Sequence, residues 1–191
     1  MTLQLTKKHN FDVVYDSQKV FRLILDAMSN PTKLVDMEEY ADKFTGSQKA
    51  FLAIAITLLD NETSFCVCGD DALADEITSL TLAKKEELTE ADFIFVIAPE
   101  YLSEAIENAK SGTLSDPHKS ATIVILNEGD PCDRIWLHGP GIKGQTSIWA
   151  TETVKEALAL RKTQYYEYPQ GIDLIFMSGT GKLFAIPRLT S

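Results

Sequence analysis

The sequence predicts an α/β layered fold in a single domain, residues 1–191. Two apolar runs without alternation, residues 93–97 and 122–126, are typical of strands covered on both faces. Acidic stretches with helical spacing, 70–79 and 101–110, follow the β-rich segments in order. A length of 191 residues, 45% hydrophobic and 24% charged, is ordinary for one globular domain.

The first helix is predicted over residues 16–28, with Asp16 or Ser17 as its N-cap. Residues 29–31, which end in proline, are expected to terminate it. Its apolar positions fall on one helical face: Val20, Phe21, Ile24, Leu25 and Met28.

A second helix is expected after Ser47, which is a plausible N-cap. Its apolar stripe is accompanied by Ala53 and Ile56 on the other side, so the helix should be buried nearly all round. A short β-rich strand is predicted at 64–68 before the next acidic helix.

The carboxyl end predicts a helix over 151–165 and then a β-hairpin. Strands at 172–177 and 182–186 flank a turn formed by Ser, Gly, Thr and Gly. The apolar residues of this hairpin are expected to form an exposed patch through which the chain self-associates into a homodimer when its partners are missing. They are Phe176, Met177 and Phe184.

Charge and composition exclude several classes of function. The 18 Lys and Arg against 28 Asp and Glu give a net charge of −10, which opposes binding to nucleic acids or anionic membranes. The longest apolar run, 51–59, is about half the roughly 20 residues that span a bilayer. Three cysteines and no secretory signal favour free thiols and a cytoplasmic location.

A glycine-rich segment, residues 139–144, fits the G-x-G-x-x-G pattern of dinucleotide-binding proteins. That pattern requires a helix directly after the glycines, whereas residues 145–149 are β-prone. A glycine-rich turn between two strands is therefore the preferred interpretation.

Other polar clusters have ordinary structural interpretations. Cys66 and Cys68 share one face of a strand, but no Cys or His at suitable spacing completes a metal site. Core thiols are the expected role. Residues 116–119 contain an acid, a histidine and a lysine, as a solvated turn also does.

Seven short stretches follow one another between about residues 15 and 190: FRLILDAMSNP (21–31), LLDNET (58–63), SGT (111–113), ATIVI (121–125), LHGPGI (137–142), YPQGIDLI (168–175) and AIPR (185–188). In this order they resemble the PhnH subunit of bacterial carbon-phosphorus lyase. Two departures are Thr32, where the family usually has glycine, and Leu189, where it often has threonine.

The resemblance implies a cytoplasmic subunit of organophosphonate catabolism, in a core complex with subunits G, I and J. That complex forms ribose 1-phosphonate 5-triphosphate from ATP and phosphonate. The resemblance further implies a scaffold or ligand-binding role, non-catalytic alone, and a homodimer when isolated. The implied fold is a three-layer sandwich similar to the major domain of pyridoxal-phosphate-dependent transferases, lacking the cofactor.

The residues themselves support no cofactor or metal. No lysine stands in a recognisable Schiff-base setting, and the cysteine spacing does not suit an iron–sulfur cluster. No catalytic residue is assigned. An independent small-molecule transferase with an anion-binding site remains the alternative.

Six residues in the family-like stretches combine cationic groups with glycine backbone. Arginine forks and exposed amides suit an oxyanion, so these residues are candidates for anion binding or subunit docking. The alternative is structural, with Asp173 paired to Arg188 and the glycines only turning the chain. The six are Arg22, His138, Gly139, Gly141, Asp173 and Arg188.

Overall fold

A computed structural model describes residues 9–190 of the chain. The helices are α1 (Tyr15–Ser29), α2 (Glu38–Ala41), α3 (Lys49–Leu58), α4 (Asp71–Thr81), α5 (Leu102–Asn108) and α6 (Glu152–Thr163). The strands are β1 (Val35–Asp36), β2 (Ser64–Cys68), β3 (Lys84–Lys85), β4 (Phe93–Val96), β5 (Thr122–Leu126), β6 (Asp133–Leu137), β7 (Thr146–Ala150), β8 (Asp173–Met177) and β9 (Lys182–Ile186).

A mixed seven-stranded sheet forms the centre, in the order β1-β9-β8-β5-β4-β2-β3. The strands from β8 to β3 are parallel to one another, while β9 and β1 are antiparallel to their neighbours. Ile123 of β5 lies between Ile94 of β4 and Leu174 of β8. The apolar runs predicted as central strands are confirmed.

Helices cover both faces of this sheet. Along β4, Phe95 packs in the apolar cluster with α1, α3 and α4, whereas Ile94 and Val96 pack in the cluster with α5 and α6. The alternation follows from the two-residue period of a strand. The α/β class is confirmed.

Within residues 9–190, none of the helices has the length and apolar character needed to cross a membrane.

The first helix begins earlier than predicted, and neither Asp16 nor Ser17 caps it. The carboxylate of Asp12 accepts hydrogen bonds from the backbone N–H groups of Val14 and Tyr15, at 2.9 and 2.8 Å. The carboxylate of Asp16 instead accepts from the N–H of Asp12 at 2.8 Å. Asp12 thus satisfies helix-start donors and moves the start towards the amino end.

The predicted apolar face of α1 is partly wrong. Val20 and Ile24 are buried as expected, but Phe21 and Leu25 are 48% and 53% exposed. Ala27 is buried, so the face that packs on the sheet is centred on positions 20, 24 and 27. The small side chain of Ala27 permits close packing on the sheet, whereas the side chains of Phe21 and Leu25 remain exposed to solvent.

The second predicted helix, α3, is buried nearly all round, as expected. Every residue from 50 to 55 is at most 1% exposed. Its N-cap position is occupied by Gln48 without a side-chain cap, so the prediction of a Ser47 cap is wrong. Burial of the helix, rather than capping, accounts for its stability.

The terminal hairpin of β8 and β9 is confirmed, but its apolar residues do not form a surface patch. Phe176 and Met177 are fully buried, and Phe184 stacks on Phe176 at 5.2 Å between ring centroids. Strand β9 lies between β8 and β1, and helices cover both faces of the sheet. The exposed patch expected here is therefore wrong.

Thr32 occupies a backbone conformation that suits glycine. Its φ is +74°, and its N–H donates to the carbonyl of Ala185 in β9 at 3.2 Å. A β-branched side chain is strained in this left-handed region. The family-like pattern has glycine at this position, and the backbone supplies the physical reason.

Replacement of Thr32 by glycine should stabilise the protein. Removing the Cβ relieves left-handed strain and should raise the free energy of unfolding by about 1 kcal/mol. Urea denaturation measures the change. Thr32→Ala is the control, because it keeps the Cβ and should gain less than half as much. Equal effects from both variants would assign the change to the lost side chain instead.

Candidate functional site

The glycine-rich segment 139–144 connects two antiparallel strands. Strands β6 and β7 pair with Trp136 opposite Ser147 and Arg134 opposite Trp149. No helix opens after the glycines, since β7 begins at Thr146. The interpretation as a turn between strands is confirmed, and the dinucleotide pattern lacks the helix that it needs.

Cys66 and Cys68 lie on one face of β2, where their thiols interact. That contact lowers the pKa of the Cys66 thiol and raises the pKa of the Cys68 thiol, with burial adding to the rise at Cys68. Both thiols are free, and Cys68 is buried while Cys66 is half-buried. In the described part of the chain, no group of three or more His, Cys, Asp or Glu could hold a metal.

Residues 116–119 form the expected polar turn. Lys119 pairs with Asp116 at 3.3 Å, and a 3₁₀ turn covers Pro117–Lys119. The turn has one link to the functional candidates, because Arg188 donates from Nη1 to the carbonyl of Pro117 at 2.7 Å.

A cavity of about 600 Å³ lies among α6, the end of β6 and the segment after β9. Its walls combine basic side chains with aromatic rings, and we call it the arginine pocket. Its residues are Trp136, His138, Leu158, Ala159, Arg161, Lys162, Tyr165, Tyr166, Gln170, Arg188, Leu189 and Thr190.

Arg161 of α6 is the buried basic residue of the arginine pocket, at 6% exposure. Its Nη1 donates to the carbonyls of Ile186 and Pro187 at 2.9 and 3.1 Å, and its Nη2 donates to the carbonyl of Thr190. Burial lowers its pKa to about 10, while the negative charge of Asp173 acts in the opposite direction. Arg161 therefore remains protonated at neutral pH.

Arg188 is held by Asp173 across the terminal hairpin. Its Nη2 lies 2.5 Å from Oδ2, and its backbone N–H donates to Oδ1 at 2.8 Å. The side chains are 21% and 11% exposed, so the ion pair is largely shielded from water. The ion pair considered as the structural alternative is present, at the edge of the arginine pocket.

Tyr166 adds a phenol next to Arg161. Burial raises its pKa, and the positive charge of Arg161 partly offsets the rise. The hydroxyl is therefore protonated at neutral pH and can donate a hydrogen bond. Arg161, Lys162 and Tyr166 together give the arginine pocket donors suited to oxyanions.

Gly139 brings the loop after β6 against the carboxyl-terminal segment. Its φ is +139°, and a Cβ there would lie 2.6 Å from the carbonyl oxygen of Leu189 and 2.9 Å from the Cα of Thr190. Only glycine permits this approach. The contact places His138 beside the arginine pocket.

Two of the six candidates lie elsewhere. Gly141 packs against Pro31, where a Cβ would approach the ring at 3.0 Å, and it lines a separate cavity of about 340 Å³. Arg22 is exposed on α1 and forms no hydrogen bond or ion pair within residues 9–190. The structure brings together His138, Gly139, Asp173 and Arg188.

Sequence reasoning missed Arg161, Lys162 and the aromatic walls. The signal for Arg161 was available, because positions 154, 157 and 161 recur on one helical face and the first two are Val and Ala. An arginine continuing an apolar stripe indicates a buried guanidinium. The contribution of Trp136 depends on the tertiary placement of β6 and has no local signal.

A family model described as PhnH, bacterial phosphonate metabolism protein, matches residues 9–191. The match includes every residue of the arginine pocket. A comparison with curated proteins found no match.

Gly139→Ala should destabilise the protein and displace the carboxyl-terminal segment. The added Cβ would overlap backbone atoms, with an expected loss of about 2 kcal/mol in the free energy of unfolding. Gly144→Ala is the matched control, since its φ is +81° but no atom lies within 4 Å of an added Cβ. Urea denaturation should show the larger loss at position 139. Equal losses at the two positions would mean that the positive φ, rather than the overlap of the added Cβ with the backbone, causes the destabilisation.

Arg188→Ala should be far more disruptive than Arg22→Ala. It leaves the shielded carboxylate of Asp173 without its partner, with an expected loss of about 3 kcal/mol. Arg22 is exposed and forms no hydrogen bond or ion pair with another residue between 9 and 190, so its replacement should change stability by less than about 0.5 kcal/mol. Thermal and urea unfolding measure both. Unchanged stability of Arg188→Ala would show that the pair is energetically negligible.

Proposed function

The chain belongs to the PhnH family of bacterial phosphonate metabolism proteins, and on that premise we propose that it is a subunit of the carbon-phosphorus lyase core complex. It would act in the cytoplasm with subunits G, I and J. Its role is in forming ribose 1-phosphonate 5-triphosphate from ATP and phosphonate. The chain serves this reaction as a scaffold or ligand-binding subunit and is not catalytic alone.

The arginine pocket is the observation that carries this proposal. Phosphonate and phosphate oxygens are bound well by arginine donors, and Arg161, Lys162 and Arg188 meet in one cavity. The chain as a whole has a net charge of −10, so such a cluster of basic side chains is unusual on it. The pocket therefore suits an anionic ligand.

The side chains around the arginine pocket favour binding over covalent chemistry. Its described lining contains no thiol, serine or carboxylate, so Lys162 and Thr190 are the main candidates for a nucleophile there. His138 and Lys162 can carry protons, and the arginines can only stabilise negative charge. The Thr190 hydroxyl has no hydrogen-bond partner among residues 9–190, so no base there activates it as a nucleophile, which supports a binding role.

The six sequence candidates divide into two proposed roles. His138, Gly139, Asp173 and Arg188 support anion binding at the arginine pocket. Arg22 stands beside exposed Phe21 on α1, and it supports subunit docking there.

Self-association is part of the same proposal. The isolated chain is proposed to form a homodimer, and the exposed apolar residues of α1, rather than the terminal hairpin, support a contact surface. The two apolar clusters share one sheet, which supports a single domain over residues 1–191. A three-layer likeness to pyridoxal-phosphate-dependent transferases is also proposed, on the family resemblance.

Affinity purification with tagged subunits G, I and J tests the subunit role. The chain should co-purify in fixed proportion, and the complete complex should release adenine from ATP when a phosphonate such as methylphosphonate is added. The chain alone should release none, as measured by chromatography of the products. Sustained adenine release by the chain alone would establish the independent transferase instead.

A further inference from the structure

We propose that the arginine pocket binds a nucleoside phosphate, with the phosphate at Arg161 and Lys162 and the base against the aromatic wall. This inference rests on the proposed ligand-binding role of the pocket and narrows its ligand to one chemical class. Four observations support it: the unused N–H donors of Arg161, the excess positive charge at the pocket, the volume of the cavity, and the exposed aromatic rings in its wall.

The guanidinium of Arg161 has N–H donors that its backbone contacts leave unused. Of five N–H groups in an arginine, three engage the carbonyls of Ile186, Pro187 and Thr190. The Nε–H and one Nη2–H have no acceptor among residues 9–190. A phosphate oxygen accepts such donors in charge-assisted hydrogen bonds.

Two hydroxyls at the same cavity also lack partners. Thr190 is 1% exposed, and its Oγ1 is buried with no hydrogen-bond partner in the described part of the chain. The hydroxyl of half-buried Tyr166 likewise has no hydrogen bond recorded within residues 9–190. Buried polar groups are rarely left unsatisfied, so the Thr190 hydroxyl lacks an expected partner at the wall of the pocket. The more accessible Tyr166 hydroxyl is a further donor available to an oxyanion.

The charges around the arginine pocket do not cancel. Arg161, Lys162 and Arg188 are positive, and Asp173 is the carboxylate that pairs with one of them. Within the described residues, Arg161 and Lys162 have no ion-pair partner within 4.0 Å. The remaining charge matches the dianion of a phosphate monoester.

The volume of the pocket and the composition of its walls suit a ligand larger than a bare oxyanion. A cavity of about 600 Å³ has the dimensions of a site for a small organic molecule, whereas inorganic phosphate would occupy a small part of it. The rings of Trp136 and Tyr165 are 59% and 92% exposed, and Leu158, Ala159 and Leu189 add apolar lining. A planar base that stacks on such rings covers apolar surface and leaves the phosphate for the basic side chains.

Isothermal titration of the purified chain tests the inference with four probes: AMP, adenosine, ribose 5-phosphate and inorganic phosphate. AMP should bind at least about tenfold more tightly than each of the others, because only AMP offers both a base and a phosphate. Equal affinity for AMP and inorganic phosphate would reduce the pocket to an oxyanion site and overturn the inference. Absence of AMP binding would overturn it also.

Matched variants locate the two parts of the ligand. Trp136→Leu and Lys162→Ala should each weaken AMP binding about fivefold or more, the first without changing phosphate affinity. Trp149→Leu and Lys155→Ala are the controls, on the same ribbon and the same helix but outside the pocket, and should change nothing. Equal effects of a variant and its control would contradict binding in this pocket.

The AMP-binding experiment and the co-purification experiment can fail independently of each other. If the chain co-purifies with its partners but does not bind AMP, this inference is wrong and the subunit role stands. If it binds AMP but does not co-purify, the subunit role is wrong.

Discussion

The hydrogen bonds of Arg161 to three backbone carbonyls hold the carboxyl-terminal segment on α6, and the arginine pocket depends on them. Those carbonyls belong to Ile186, Pro187 and Thr190, which span the end of β9 and the residues that follow it. Without this buried guanidinium, the three carbonyls of the carboxyl-terminal segment would lose the hydrogen-bond donor that they share. The segment then would no longer hold Arg188 in place or provide the backbone against which Gly139 packs.

Burial of a cation is costly unless hydrogen bonds and charges compensate for it. Here the carbonyl dipoles provide the hydrogen bonds, and Asp173 provides a negative charge whose direct ion pair is made with Arg188. The arrangement keeps Arg161 protonated with part of its donor capacity unused. A single side chain therefore both holds the carboxyl-terminal segment on α6 and supplies unused N–H donors for the anion proposed to bind in the pocket.

The sequence predicts the fold better than the site, for a physical reason. Strand and helix patterns are local, so the central strands and the hairpin are recovered. At the start of α1, however, Asp12 rather than Asp16 or Ser17 accepts from the backbone N–H groups. His138 and Arg188 are found because they lie in the family-like stretches, where cationic groups accompany glycine backbone. The Gly139 contact with Leu189 joins residues fifty positions apart, and Trp136 enters the pocket through tertiary packing, so neither is visible in a local pattern.

The surfaces proposed for subunit docking and for ligand binding lie on opposite sides of the central sheet. Helix α1 packs on one face of the central sheet, while α6 packs on the other. The exposed Phe21 and Leu25 of α1 therefore lie across the sheet from Arg161 and its cavity. A subunit that covers α1 would leave the pocket open to ligand. Conversely, a partner that completes the pocket would have to approach from the α6 side, where Trp136 and Tyr165 stand exposed at its rim.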